Sequence, residues 1–177
     1  MFVSRRLFLV RALGFALACL ALPSCGSSEA PTAQDHFAAL AGDWEGTHRL
    51  LDNPNEYAAL YAIAMDGEVL VHSFWSTWEG GFSGHERMSF REDGSLMAVW
   101  SDSASEESVE TKGNYDPETR TLTMRGFAES WTNPGTQVEY EHVTVYQDDS
   151  FSYTMSVTEE GLKKEVMWIE MTRKAGE

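Results

Sequence analysis

From Gly42 almost to the C-terminus, apolar and polar side chains alternate with a period of two, the signature of half-buried β-strands. The clearest run is Ser150 to Val157, where Phe151, Tyr153, Met155 and Val157 share one side and serine or threonine the other. Asp43 to Leu50 places Trp44, Gly46, His48 and Leu50 inward against Asp43, Glu45, Thr47 and Arg49 outward. Leu122 and Met124 alternate with Thr121, Thr123 and Arg125, and Met167, Ile169 and Met171 repeat the pattern near the end. Turn chemistry separates the runs at Asp66-Gly67, Asp93-Gly94, Asp116-Pro117, Asn133-Pro134-Gly135, Asp148-Asp149 and Glu160-Gly161. About ten consecutive strands joined by short turns predict an all-β, up-and-down antiparallel barrel, since closure removes unpaired edges. A sandwich is the alternative. Ahead of the strands, Asp35 to Ala41 predicts a short helix capped by Asp35, with Phe37 and Leu40 on one face.

The first 25 residues follow a different pattern. Ser4-Arg5-Arg6-Leu7-Phe8-Leu9 has the form of a twin-arginine export signal, Ala12 to Leu22 is a short apolar core, and Leu22-Pro23-Ser24-Cys25 has the form of a lipobox. Eleven apolar or small residues fall short of the roughly 20 a helix needs to cross a membrane. The segment therefore predicts a cleaved leader over residues 1–24 rather than a span; an ordinary secretory peptide is the alternative. Residues 25–35 then form a lipidated tether, small and polar from Gly26 to Gln34, and 36–177 a single domain. Lipidation of Cys25 predicts a membrane-anchored envelope protein, and Gly26 after it favours the periplasmic face of the outer membrane.

Cysteine and charge narrow the picture. The two cysteines are Cys19, inside the leader, and Cys25, so the mature domain forms no internal disulfide and stands on its core. That suits a twin-arginine route, whose cargo folds in the reducing cytosol. Loss of Arg5, Arg6 and Arg11 with the leader leaves 10 basic against 28 acidic residues, a net charge of −18. Such a surface repels nucleic acid and anionic headgroups. Glu106-Glu107 and Asp148-Asp149 read as solvated loops, without the oxygen spacing of an EF-hand.

Gly42-Asp43-Trp44 after a short helix resembles the opening of lipocalin-like barrels. An ordered series follows: Phe82-Ser83-Gly84, Trp100-Ser101-Asp102-Ser103, Gly113-Asn114-Tyr115-Asp116, Leu122-Thr123-Met124-Arg125-Gly126, Asp149-Ser150-Phe151 and Glu170-Met171-Thr172-Arg173-Lys174. The series resembles the calycin-like bacterial family catalogued as domain of unknown function 1579, over roughly residues 37 to 174. The resemblance implies a lipocalin-like barrel. Where that family usually carries glycine-tyrosine-aspartate after the fourth strand, this chain has Ser89-Phe90-Arg91, so no role of that tyrosine or aspartate carries over.

A small barrel is either filled by side chains or holds one small ligand. Candidate site residues are therefore polar or aromatic groups in register with apolar neighbours: Trp44, His48, Glu86, Trp100, Asp102, Tyr140 and His142. A buried carboxylate or imidazole is costly unless paired. Glu86, in register with Phe82, Met88 and Phe90, is accordingly expected to lie within hydrogen-bond reach of one histidine, tyrosine or arginine, with His48 and His142 the nearest partners, and to line any cavity. A one-residue slip would turn His85 inward instead. Each candidate also has a structural reading: a satisfied core histidine, Asp102 capping its strand, and tryptophans Trp44, Trp75, Trp78, Trp100, Trp131 and Trp168 packing core and rim.

Catalytic signatures are thin: there is no H-E-x-x-H, G-x-S-x-G or phosphate loop, and no catalytic residue is assigned. His48, His72, His85 and His142 sit on four separate strands without metal-ligand spacing, so no metal is expected. No cofactor is expected either. A haem-binding variant draws on Gly42-Asp43-Trp44-Glu45-Gly46, which resembles the opening of nitrobindin-like proteins. Those proteins carry their iron-ligating histidine near the C-terminus, and here no histidine follows His142.

Three functions compete. The leading one is a non-catalytic binding protein holding a small, partly apolar ligand in the barrel. The second is a hydrolase or isomerase using Glu86, Asp102 and His48 or His142. The third is an envelope-assembly factor with a packed barrel. An apolar cavity above about 300 Å3 favours the first, a solvent-open acid–histidine cluster the second, and a filled interior the third.

Overall fold

The computed structural model describes residues 32–130 and 133–175. The leader, Cys25, most of the tether and Trp131 lie outside the described residues. The remainder is one short helix, α1 (Ala33–Ala39), followed by ten strands: β1 (Gly42–Leu50), β2 (Glu56–Asp66), β3 (Val69–Ser76), β4 (Phe82–Phe90), β5 (Leu96–Asp102), β6 (Val109–Asp116), β7 (Thr121–Glu129), β8 (Gln137–Tyr146), β9 (Ser150–Glu159) and β10 (Leu162–Arg173). Each strand pairs antiparallel with its neighbours in sequence, and β1 pairs with β10 from Trp44 opposite Arg173 to Leu50 opposite Met167. The sheet is a closed barrel, not a sandwich.

Alternation along the strands sets what lies inside. On β3, Leu70, His72, Phe74 and Ser76 are buried, while on β7 Leu122, Met124 and Gly126 are. Close approach of neighbouring groups fixes some glycines. A Cβ on Gly46 would lie 1.8 Å from the Glu170 carbonyl oxygen, and one on Gly84 would lie 2.1 Å from the Trp100 indole. The one irregular register is in β10 between Glu165 and Met167, where a bulge leaves both Val166 and Met167 buried.

The helix starts earlier than the sequence pattern predicts, and with a different cap. Thr32 is the N-cap, and its Oγ1 accepts from the Asp35 amide at 3.1 Å. Asp35 occupies the third helical position and accepts from the Thr32 amide at 3.0 Å, completing a capping box. Either residue type caps well; spacing decides, because only Thr32 as cap puts an acid at the position that reaches back.

This helix closes the barrel end formed by the β2–β3, β4–β5, β6–β7 and β8–β9 turns. Phe37 is fully buried among Phe90, Tyr115 and Tyr146. Trp44, also fully buried, donates its Nε1–H to the Leu40 carbonyl at 3.3 Å and packs edge-on against Phe151. Arg173 stacks over the Trp44 ring at 4.3 Å and donates to the Ala41 and Ala39 carbonyls at 2.9 and 3.1 Å. Those carbonyls are helix-end acceptors that would otherwise lack partners, so one cation satisfies the helix and clamps it to β10.

Candidate functional site

At mid-height the interior turns polar. The β3–β4 hairpin sets His72 directly opposite Glu86, both pointing inward, and the His72 Nδ1–Glu86 Oε2 distance is 2.9 Å. The His72 side chain is 3% exposed and that of Glu86 12%. An ionised carboxylate only accepts, so Nδ1 is the protonated nitrogen. The other nitrogen, Nε2, is buried with no hydrogen-bond partner. From β2, the Tyr61 ring lies tilted against His72 with centroids 5.3 Å apart. Facing this wall across the barrel are His142 and Tyr146 of β8 and Tyr153 of β9, with the Tyr153 ring edge-on to His142 at 5.6 Å. The groups enclose a cavity of about 20 Å3, whose remaining lining is Leu122, Met124 and Thr144. That is room for about one water-sized group.

Electrostatics follow from this enclosure. Burial pushes the Glu86 carboxyl upward, but the hydrogen bond and charge of His72, with a smaller contribution from His142, outweigh it and hold Glu86 below the usual carboxylate range. Glu86 is therefore an anion at neutral pH. Burial holds His142 below its ordinary value, partly countered by Glu86. Burial first, and then the Glu86 charge, raise Tyr61, Tyr146 and Tyr153, so all three keep their protons. The result is an ionised carboxylate facing two imidazoles and ringed by neutral hydroxyls.

Of the residues expected to form a site, Glu86 and His142 line this cavity and the other five do not. Trp44 belongs to the helix end. His48 lies apart, with Nδ1 3.1 Å from Ser76 Oγ and its ring among Tyr57, Phe74 and Trp78; burial lowers its pKa to about 4. Trp100 covers Gly84 and donates its Nε1–H to Asp102 at 2.8 Å. Asp102 also accepts from the amides of Ala104 and Ser105, so it caps the turn after β5. Tyr140 donates to the Glu129 carbonyl at 3.1 Å and secures the β7–β8 end. Each of these five either sits at an end of its strand or is engaged by a local partner, which takes it away from the centre.

The partner of Glu86 is His72, not His48 or His142: hairpin register, rather than shared inward direction, decides which groups touch. The residues added by the structure are His72, Tyr61, Tyr146 and Tyr153. Strand alternation marks three of them, since His72 alternates with Leu70 and Phe74, Tyr146 follows His142 on one face, and Tyr153 lies between Phe151 and Met155. Tyr61 has no such signal, because the outer face of β2 is also apolar, with Leu60, Ala62 and Ala64. His85 points outward and meets Ser73 at 3.1 Å, so the register is not slipped.

Among the described residues, no three His, Cys, Asp or Glu side chains converge as metal ligands. The enclosed space beside His72 and His142 is far too small for a porphyrin, so these residues do not fit a haem. A larger depression of about 190 Å3 lies on the outer surface over Ser150 and Ser152, where Glu170 is the only ionisable lining group. It is a dent over small side chains rather than a built site.

Comparison with known proteins agrees with the architecture. No curated protein matches the chain. The crystal structure of Rv2717c from M. tuberculosis superposes with a TM-score of 0.59 at 14% identity, covering 79% of this chain and 96% of that one, a likeness of fold. The family model "Protein of unknown function (DUF1579)" matches residues 30–173, nearly the whole barrel with its helix, and the chain belongs to that family.

Proposed function

We propose that this chain is an envelope-anchored, non-catalytic binding protein whose barrel receives the polar end of a small ligand at the Glu86 cavity. The observation that supports this is the convergence of a buried Glu–His pair, a second histidine and three tyrosines on one enclosed space. Buried ion pairs are poor stabilisers, and well-packed apolar side chains commonly serve a core as well or better. A barrel needing only stability has no use for this cluster. Leu122, Met124 and the tyrosine rings add the apolar surface a partly apolar ligand requires. At about 20 Å3 the cavity takes one small group, so a larger ligand would need the barrel to expand.

The anchor in this reading is lipid on Cys25 of the lipobox-like Leu22-Pro23-Ser24-Cys25, with the small polar residues after it as tether. A Cys25→Ser protein should move from the membrane to the soluble periplasmic fraction. Persistence in salt-washed membranes would contradict the anchor.

Native mass spectrometry of protein taken from its own envelope tests the binding reading. A discrete mass adduct on wild type that is lost in Glu86→Gln supports it. A second reading, a filled barrel acting in envelope assembly through its surface, is favoured by the small cavity volume. It would be supported by bare mass in both proteins together with co-isolation of an envelope protein.

A further inference from the structure

We infer that the Glu86 cavity selects a primary ammonium group in the size range of ammonium to methylammonium; this deepens, and rests on, the binding reading above. Three observations carry it, each pointing to a small cation. First, Glu86 supplies a negative charge inside the barrel, and no lysine or arginine among the described residues meets it; its hydrogen-bond partner is His72. An anionic ligand would be repelled at this distance from water.

Second, the carboxylate has an acceptor to spare. One Glu86 oxygen accepts from His72, while the other has no donor among the described residues. Nε2 of His72, the ring nitrogen turned away from Glu86, is buried with no hydrogen-bond partner. Tyr61 and Tyr153 line the same space, and their hydroxyls can accept as well as donate. An ammonium group donates to the free Glu86 oxygen, whereas a carboxylate or phosphate would meet that oxygen as a second acceptor.

Third, Tyr61, Tyr146 and Tyr153 place aromatic rings around the same small space. Ring faces attract a cation, most strongly where water is excluded. A carboxylate with several tyrosine rings is the arrangement that chemistry favours for an organic ammonium. The volume of about 20 Å3 sets the size limit, since a bulky quaternary ammonium has no room.

The test is an NMR titration of the full-length protein with 13C-methylammonium chloride, against potassium chloride at equal ionic strength. Formamide and formate serve as neutral and anionic probes of similar size. The expected result is a saturable methyl signal shifted by the tyrosine rings, displaced by ammonium chloride but not by potassium chloride. Glu86→Gln should weaken binding by about tenfold or more, the loss of one charge-assisted contact. Two results overturn the inference: displacement by potassium as effective as by ammonium, or a Glu86→Gln protein that binds methylammonium as wild type does. Both displacement arms use wild type, so the test survives a Glu86→Gln protein that fails to fold. Saturable binding of formamide or formate without methylammonium would overturn the ammonium assignment and leave the binding reading standing. If no probe binds while native mass spectrometry still shows an adduct, the ligand class is wrong and the site is right.

Discussion

Two regions of this barrel face its interior and are built on opposite principles. At the helix end, apolar rings pack around Phe37, the Trp44 N–H finds the Leu40 carbonyl, and Arg173 satisfies two carbonyls from a partly exposed position. At mid-height, a carboxylate, two imidazoles and three phenols occupy space that apolar side chains would fill more cheaply. The first region closes the fold. The second spends stability on chemistry. A core that tolerates such groups has been shaped by something other than packing, and this contrast points to the Glu86 cavity rather than to the tryptophan-rich end.

The comparison breaks first at Trp44. Trp44→Ala should destabilise the barrel by about 3–5 kcal/mol, as expected for truncating a fully buried tryptophan, read from denaturant midpoints. An unchanged midpoint would remove the helix end from the stabilising core. His72→Leu should cost about 3 kcal/mol, because it leaves the Glu86 charge buried and alone. Arg173→Ala should cost about 1–2 kcal/mol through two lost hydrogen bonds and the ring contact.

The acid response sharpens the contrast further. Glu86 has a depressed pKa in the folded state, so its contribution is present above the unfolded carboxylate value and is lost as pH falls through the folded one. His48 acts higher in pH. Its folded pKa is about 4 against 6.5 unfolded, so between those values the unfolded chain takes up the proton first. Stability should therefore fall by up to about 1.4 kcal/mol per pH unit as pH drops through that window, and level off below it. His48→Gln should flatten the slope between pH 6.5 and 4, whereas Glu86→Gln should flatten only the more acidic part. Denaturant melts across pH check both.

How far the sequence foretold these regions differs in the same way. The helix end was legible because Phe37, Leu40 and Trp44 are large apolar residues beside a turn, and such residues have few places to go. The barrel itself was legible from period two and the spacing of turns. The cavity was only partly legible. Alternation states that Glu86 and His142 face inward, but not that His72 lies opposite Glu86, which depends on the register of a hairpin whose turn has three consecutive positive φ angles at Glu79, Gly80 and Gly81. Nor does alternation give height along the barrel, which is why Asp102 and Tyr140 share inward strand faces with the site and yet lie toward strand ends, while Trp100, directly opposite Glu86 in register, turns its indole over Gly84 instead. The cap of α1 was misplaced because Thr32 and Asp35 are both good caps, and the reciprocal pair rather than either residue decides.

The central claim is that the Glu86 cluster is kept for binding and not for holding the barrel together. Its most direct test is the equilibrium stability of a Glu86→Leu, His72→Leu double variant, measured by urea unfolding beside wild type. Replacing both polar groups with apolar side chains should leave the barrel at least as stable as wild type, while abolishing any ligand adduct. A double variant less stable than wild type by about 2 kcal/mol or more would contradict the account, because the polar cluster would then be part of the structure's own support.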